Sequence, residues 1–326
     1  MAYVIGIDGG GTKTEGILCD HAGNMLGRYT GGPSNHQFIS ADQVKSNVGV
    51  VIEKLITEAG LKFEDVSYVY LGLAGNDSAD DCRFLTELLR PVMRGIPYCI
   101  ENDLWAAMAA VPGISWGVIA VCGTGYNMGI MDQGKKRHTL RALEYEHGNI
   151  SATRQLITDA LHFAFQSDEH TGMKTELERT IPSCLGVKTM EEVLSVMKEE
   201  PEIIYKNEKI VRELFSLARS RDIVSQEILI NMGRSIGRML GNYITHIGLE
   251  KEEVPVILSG SIFVKAVSRL HIDAAILELR RYVPDFSIII NKNPAAAGAC
   301  AEALRKIGKT TDAAFFKKIG EGQDVY

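Results

Sequence analysis

The 326-residue sequence is short of several things that would each announce a function class. No apolar run approaches the ~20 residues that span a bilayer. The chain opens directly into a strand-like segment, so no signal peptide is expected. Six cysteines are present, Cys19, Cys82, Cys99, Cys122, Cys184 and Cys300, and no two form a C-x-x-C pair. That spacing argues against a disulfide framework, a structural zinc or an iron–sulfur site, and fits free thiols in a reducing cytoplasm. The sequons at Asn76 and Asn149 then carry no glycosylation meaning. Positive charge is not in excess: the formal net charge is −6, which speaks against a broad nucleic-acid surface. No G-x-G-x-x-G and no Walker motif occurs at the N-terminus. What remains is an ordinary globular composition, 45% hydrophobic and 23% charged, long enough for one large or two medium domains.

The richest stretch is Gly6-Ile7-Asp8-Gly9-Gly10-Gly11-Thr12-Lys13-Thr14. Apolar runs lead into it from Tyr3 and away from it to Asp20, the pattern of two strands joined by a tight glycine turn. Successive N–H groups in such a turn form a concave anion site. Thr12 and Thr14 add hydroxyls and Lys13 adds a charge. Asp8, at the strand end, is placed to hold Mg²⁺ directly or through water. Taken alone, the stretch reads equally well as a hairpin with a solvated lysine. It leads into a strand, so a helix N-terminus is not what would hold a phosphate here.

Periodicity organises the rest. Three strands fill residues 1–31, and a loop follows at Gly31-Gly32-Pro33-Ser34-Asn35-His36. A helix is predicted over 41–59, with Val44, Val48, Val51, Ile52, Leu55 and Ile56 on its apolar face. A buried strand runs from Asp65 to Leu73, a loop covers Ala74-Gly75-Asn76-Asp77, and a helix spans 80–92. A short strand from Pro97 leads to Asn102-Asp103 and a slim, alanine-rich helix. The pattern then restarts: strand 116–122, the turn Gly123-Thr124-Gly125, strand 128–132. This restart suggests an internal duplication. Residues 151–250 are mostly helical by period, with Pro182 and Pro201 expected to separate short pieces. The helix over 222–247 carries Ile223, Ile228, Ile230, Met232, Ile236, Met239, Leu240 and Ile244. A strand at 254–258, a turn at Ser259-Gly260-Ser261, a strand at 287–290 and a small-residue helix from Pro294 close the chain.

Five of these signals in a fixed order resemble the actin/heat-shock-protein/sugar-kinase superfamily. More closely, Asp8-Gly9-Gly10-Gly11-Thr12-Lys13-Thr14, Pro33-Ser34-Asn35-His36, Gly72-Leu73-Ala74-Gly75, Asn102-Asp103 and Cys122-Gly123-Thr124-Gly125-Tyr126-Asn127 look like the BadF/BadG/BcrA/BcrD-type ATPase family, which includes N-acetylglucosamine kinases. The resemblance implies an α/β fold of two related ribonuclease H-like domains around a nucleotide cleft. The domains are expected at 1–113, joined by the C-terminal helix 295–326, and at 114–294, with a helical insertion at about 151–250. It implies an ATP- and Mg²⁺-dependent kinase for a sugar hydroxyl, an amino sugar above all. Its small-molecule partner is that sugar, without nucleic acid or membrane, and a homodimer is the expected assembly.

Residue by residue, the resemblance assigns the phosphates to Gly9, Gly10, Gly11, Thr12 and Lys13 in the first turn. Gly123, Thr124 and Gly125 serve them in the second, Gly260 and Ser261 lie near the adenosine, and the metal falls to Asp8. Asp103 becomes the general base for the attacking hydroxyl. On residue type alone Asp103 reads first as a helix cap; Asn102 can supply that cap instead, and the resemblance then favours the base. Asn35, His36, Gly75, Asn102 and Gly148 fall on sugar contacts.

The sequence departs from the family at Arg141-Ala142-Leu143-Glu144-Tyr145-Glu146-His147-Gly148-Asn149-Ile150-Ser151. The family's Trp and Asp-Glu pair are missing there, which leaves the identity of the sugar open. Glu144, Glu146 and His147 either replace those contacts or begin a solvated helix. A ROK-type kinase is disfavoured, because its zinc-binding cysteines are absent. A partner-driving ATPase of the dehydratase-activator type would need cluster cysteines, and only Cys122 lies beside a nucleotide motif. A non-catalytic sugar sensor is disfavoured by Asp103.

Overall fold

The computed structural model describes residues 2–141 and 145–320. The strands are β1 (Tyr3–Gly9), β2 (Thr14–Asp20), β3 (Met25–Gly31), β4 (Val66–Leu73), β5 (Tyr98–Glu101), β6 (Gly117–Cys122), β7 (Tyr126–Met131), β8 (Arg137–Thr139), β9 (Val254–Ser259) and β10 (Phe286–Ile290). Helices α1 (Ala41–Glu58), α2 (Ala79–Met93) and α3 (Asp103–Ala109) interleave with the first five strands. Then come α4 (Ala152–Asp168), α5 (Leu177–Leu185), α6 (Met190–Glu199), α7 (Pro201–Tyr205), α8 (Glu208–Arg219) and α9 (Ile223–Ile247). Last are α10 (Ser261–Val264), α11 (Leu270–Leu279), α12 (Ala295–Lys306) and α13 (Ala313–Gly320).

The two sheets share one topology. The first runs β3-β2-β1-β4-β5 and the second β10-β9-β6-β7-β8. Counting each sheet from its own first strand, both read 3-2-1-4-5. The restart at residue 116 is therefore a repeat of topology as well as of the glycine turn. Two five-stranded sheets flanked by helices make the α/β fold of actin-like ATPases and sugar kinases.

By contacts the chain divides into two compact units, one of Met1–Ala120, Met128–Ala142 and Ile289–Tyr326, the other of Val121–Asn127 and Leu143–Ile288. In the first unit, β1 pairs antiparallel with β2 and parallel with β4. A central strand is buried on both faces, so β1 is apolar and buried from Val4 to Ile7, and its one charged residue, Asp8, comes at its carboxyl end. Ile5, Ile7 and Leu18 pack with α1 and α2, while Val4, Ile17 and Cys19 pack with α3, α12 and α13. The six apolar residues expected on α1 are all buried. Its first turn carries a capping box between Ser40 and Gln43.

Glycine allows the closest approaches. A Cβ at Gly6 would meet Cys300 N at 2.2 Å, and one at Gly298 would meet Ala106 O at 1.9 Å. Thus α12 presses onto both β1 and α3. Asn291 and Asn293 lead into α12 and donate to Ala107 O and Ala110 O at 3.0 and 2.8 Å, covering the last carbonyls of α3.

The second unit is mostly helical. Helix α9 buries Val224, Ile228, Leu229, Met232, Ile236, Leu240 and Ile244, but Ile223, counted with its apolar residues from sequence, is its first residue and 62% exposed. The face turns instead on Gly233, Gly237 and Gly241, where a Cβ would meet His271 O, Ala275 O and the Tyr282 ring at 2.1, 2.3 and 2.5 Å. Pro182 does not break the chain as expected; it lies inside α5. Pro201 stands at the start of α7, where its missing N–H costs nothing.

Candidate functional site

In the first unit, the candidate residues gather beyond the carboxyl ends of parallel strands. Asp8 pairs in register with Gly72 on β4, and Gly72 with Glu101 on β5. A Cβ on Gly72 would stand 2.7 Å from Ala106 Cβ and 3.4 Å from Asp103 Cα, so this glycine lets the start of α3 settle beside the strand ends. Asn102 caps α3: its Oδ1 accepts from Leu104 N at 3.0 Å. Its Nδ2 donates to Asp77 Oδ1 at 2.8 Å and to Asn76 O at 3.3 Å.

Both carboxylic acids are half-buried and hard to ionise. Burial, then the charges of Asp103 and Glu15, push Asp8 up to about 7. Burial, then the charge of Asp77, push Asp103 up to about 7. Lys13 does not relieve Asp8 strongly, because it is bonded to Glu15 Oε2 at 2.8 Å, and Arg28 bonds the other oxygen of Glu15. A divalent cation would relieve the crowding at Asp8. Among the described residues no three His, Cys, Asp or Glu side chains converge to cage an ion. Mg²⁺ generally keeps waters and phosphate oxygens and takes only one or two carboxylates from a protein.

The glycines of the first turn fall into two kinds. A Cβ on Gly9 would meet Ser34 Oγ at 2.1 Å, so the fold itself requires that glycine. At Gly10 and Gly11 the nearest atoms would lie 3.7 Å away, so the protein leaves room there. The turn closes through Gly10 N to Lys13 O at 2.9 Å, and Gly10 O accepts from Ser34 N and Asn35 N at 3.0 and 3.3 Å. Gly11, Thr12 and Lys13 are exposed, whereas Thr14 is fully buried in β2 and offers no hydroxyl at the surface.

The Gly10 tether places the 33–36 loop against the turn. Asn35 is buried and accepts from Gln37 N at 2.9 Å. His36 Nε2 lies 3.1 Å from Asp81 Oδ1, and its buried Nδ1 has no partner. Gly75 has φ +85°, and a Cβ on it would meet Asn35 Oδ1 at 2.5 Å, so both its backbone and its size demand glycine. Asp77, Asp81 and Gln37 were not singled out from sequence. Their signal was position, in or beside loops at the carboxyl ends of parallel strands, where open α/β sheets bind ligands.

The second unit holds the other turn. Gly123 N donates to Gly125 O at 2.9 Å, and Thr153 Oγ1 to Gly123 O at 2.7 Å. A Cβ on Gly123 would find only Ser261 Oγ at 3.6 Å, and one on Gly125 nothing within 4 Å. Thr124 is exposed. Gly260, at φ +94°, would drive a Cβ into Cys122 O at 2.3 Å, so packing alone accounts for it. Ser261, the next residue, opens α10 and is exposed. Cys122 is fully buried, and burial pushes its thiol well above the ordinary range. A cluster ligand needs the opposite, an accessible thiolate.

In the divergent stretch, Tyr145–His147 form an exposed single turn of 3₁₀ helix. Ala142, Leu143 and Glu144 lie outside the described residues. Gly148 is exposed at φ +88°, and the buried Asn149 donates to Tyr126 O at 3.0 Å.

A two-unit fold with twin glycine turns and a carboxylate at a helix start is the architecture of a phosphate-handling ATPase. The chain belongs to the BadF/BadG/BcrA/BcrD ATPase family, whose model matches residues 5–303. It is 29% identical over 271 residues to an N-acetyl-D-glucosamine kinase of Dictyostelium discoideum, covering 78% of this chain and 84% of that protein. It is 25% identical over 312 residues to an N-acetylmuramic acid/N-acetylglucosamine kinase of Clostridium acetobutylicum, covering 92% of this chain and 97% of that one. Its fold matches that of a Porphyromonas gingivalis protein proposed to be an N-acetylglucosamine kinase, with TM-score 0.67, 17% identity, and 94% and 100% of the two chains covered.

Proposed function

We propose that the protein transfers the terminal phosphoryl group of ATP to a hydroxyl of an amino sugar such as N-acetylglucosamine or glucosamine. The observation that carries this reading is the first unit's site: Asp103 beside the strand end that bears Asp8, with the Asn35-His36 loop bonded to the same glycine turn. Phosphoryl transfer asks the protein for positioning and charge stabilisation more than for covalent chemistry. The turn at Gly9–Lys13 receives the transferring phosphate at its exposed tip, Gly11 to Lys13, with the Thr12 hydroxyl, since the Gly10 N–H closes the turn itself. Gly123, Thr124 and Gly125 serve the inner phosphates, with Gly260 and Ser261 toward the nucleoside. Asp8 would hold Mg²⁺, which neutralises charge at the phosphates when bound.

Asp103 takes the proton of the attacking sugar hydroxyl. A base near 7 suits that work at neutral pH. Asn35 offers an amide to sugar hydroxyls, and His36 offers a ring edge. Gly75, Asn102 and Gly148 complete the proposed sugar-binding set. We also propose a cytoplasmic homodimer. All six cysteines are free, in keeping with a reducing compartment, and among the described residues no helix is long and apolar enough to cross a membrane.

The test is ADP release across a panel of glucosamine, N-acetylglucosamine, N-acetylmuramic acid, N-acetylmannosamine and glucose. Sugar-dependent release with at least one amino sugar is expected. If ATP binds but no sugar raises the rate above the water background, the kinase reading fails.

A further inference from the structure

The loop after β4 holds a carboxylate that none of these roles uses. Asp77 lies two residues beyond Gly75, half-buried, and its two oxygens have different partners. Oδ1 accepts from Asn102 Nδ2 at 2.8 Å, and Oδ2 accepts from Gln37 Nε2 at 3.1 Å. Those partners belong to the two halves of the first unit's site. Gln37 donates its main-chain N–H to Asn35 Oδ1 at 2.9 Å, so it is tied at once to the sugar loop and to Asp77. Asn102 caps the helix that begins with Asp103.

The chemistry of the groups makes this bridge directional. Asn102 commits its oxygen to the cap, so its amide nitrogen must find acceptors, and an ionised carboxylate is an acceptor only. Asn76 O, at 3.3 Å, is the other acceptor for that nitrogen. Asp77 therefore fixes which way the Asn102 amide points. Gln37 also turns an NH₂ group toward Asp77. An asparagine at position 77 has one acceptor for two such donors, and its own NH₂ would face one of them.

We propose that Asp77 is a positioning residue that links the sugar loop to the catalytic base: it holds Asn102 in the orientation that caps α3, and through Gln37 it makes that orientation answer to the 33–38 loop. This rests on the kinase reading above. Asp77 touches no reacting atom; it acts on Asp103 through Asn102, beside the direct effect of its charge, and on Asn35 through Gln37. A misplacement of about 1 Å at a base costs on the order of 10² in rate.

The full-length chain is tested as Asp77→Asn, Gln37→Ala and the double variant, with ATP and the best sugar of the panel. For Asp77→Asn, kcat falls about 10- to 100-fold while the KM for ATP stays within about twofold. Gln37→Ala, a change at an exposed residue, lowers kcat/KM for the sugar about threefold in the wild-type background and not at all in Asp77→Asn, since both act through one link. An unchanged kcat with only a lower melting temperature, or additive losses in the double variant, overturns the proposal. If the wild-type protein phosphorylates no sugar, the kinase reading falls, and hydrogen exchange decides the link separately. The amides of Leu104 and Trp105, which bond to Asn102 Oδ1 and Asn102 O, should then exchange at least about tenfold faster in Asp77→Asn. Unchanged protection there overturns the link.

Discussion

Asn102 caps the helix that Asp103 begins: the amide oxygen of one residue, not the carboxylate of the next, accepts from Leu104 N at 3.0 Å. With Asn102 ending the strand-to-helix turn, the Asp103 carboxylate is left out of the cap and is available for the base role proposed above. Asp103→Asn should therefore keep the fold and ATP binding while lowering kcat by at least ~10². Sugar-phosphate formation near the wild-type rate would remove Asp103 from the base role.

On the proposed base role, the same carboxylate should set the pH profile. Asp103, raised to about 7 by burial and by the charge of Asp77, is ionised only above that pH. A base must be ionised to act, so kcat/KM should fall about tenfold per unit as pH drops below about 7. A rate that stays flat down to pH 5, measured with saturating ATP and Mg²⁺, would contradict the assignment.

Glycine substitutions should separate ligand from fold. A Cβ at Gly10 meets nothing closer than 3.7 Å and one at Gly125 nothing within 4 Å, so in Gly10→Val and Gly125→Val melting temperatures should hold while calorimetric ATP binding is lost. Gly9→Ala and Gly260→Ala drive a Cβ to within 2.1 and 2.3 Å of Ser34 Oγ and Cys122 O, so they should lower stability. Unchanged ATP affinity in both valine variants would mark the turns as ordinary hairpins.

Asn35→Ala should cost about 5- to 150-fold in kcat/KM for the sugar, the effect of leaving a bound hydroxyl unpaired at ~1–3 kcal/mol. The KM for ATP should not move. Equal losses toward both substrates would place Asn35 in loop integrity and not in sugar recognition.

His271 offers a test of stability in the second unit. It is fully buried between Phe215 and Phe263, with Nε2 donating to Ile262 O at 3.0 Å and Nδ1 without a partner. Burial lowers it from 6.5 to about 4. Its neutral form is what the fold accepts, so its contribution is intact above about 6.5 and is lost as pH falls toward 4. The loss amounts to roughly 3 kcal/mol. Denaturant titrations between pH 7 and 4 should show a shallower decline in His271→Asn than in wild type; parallel declines would rule His271 out as the source.

Much of this protein is written in local pattern. The six apolar residues of α1 recur at helical spacing and are all buried, because a helix against a sheet has only one face to hide. The two glycine turns and the restart at residue 116 are legible because a strand–turn–strand unit is short and its residues are adjacent in sequence. The Asn102-Asp103 division was also readable, since a cap needs only the next two residues. Spacing could not decide what distant segments ask of each other. Ile223 counts among the apolar residues of α9 yet is exposed: it is the helix's first residue, five before Ile228, and so off the spacing that the buried residues follow. Pro182 looked like a breaker and sits inside α5. Gly9 and Gly10 are neighbours of one type; Ser34 and Leu73, brought close by the tertiary fold, make the first a packing requirement and leave the second open. Asp77 had no motif at all. Its place in the site comes from Gln37 and Asn102, 40 and 25 residues away in sequence, and hydrogen bonds at that separation are made by the fold alone.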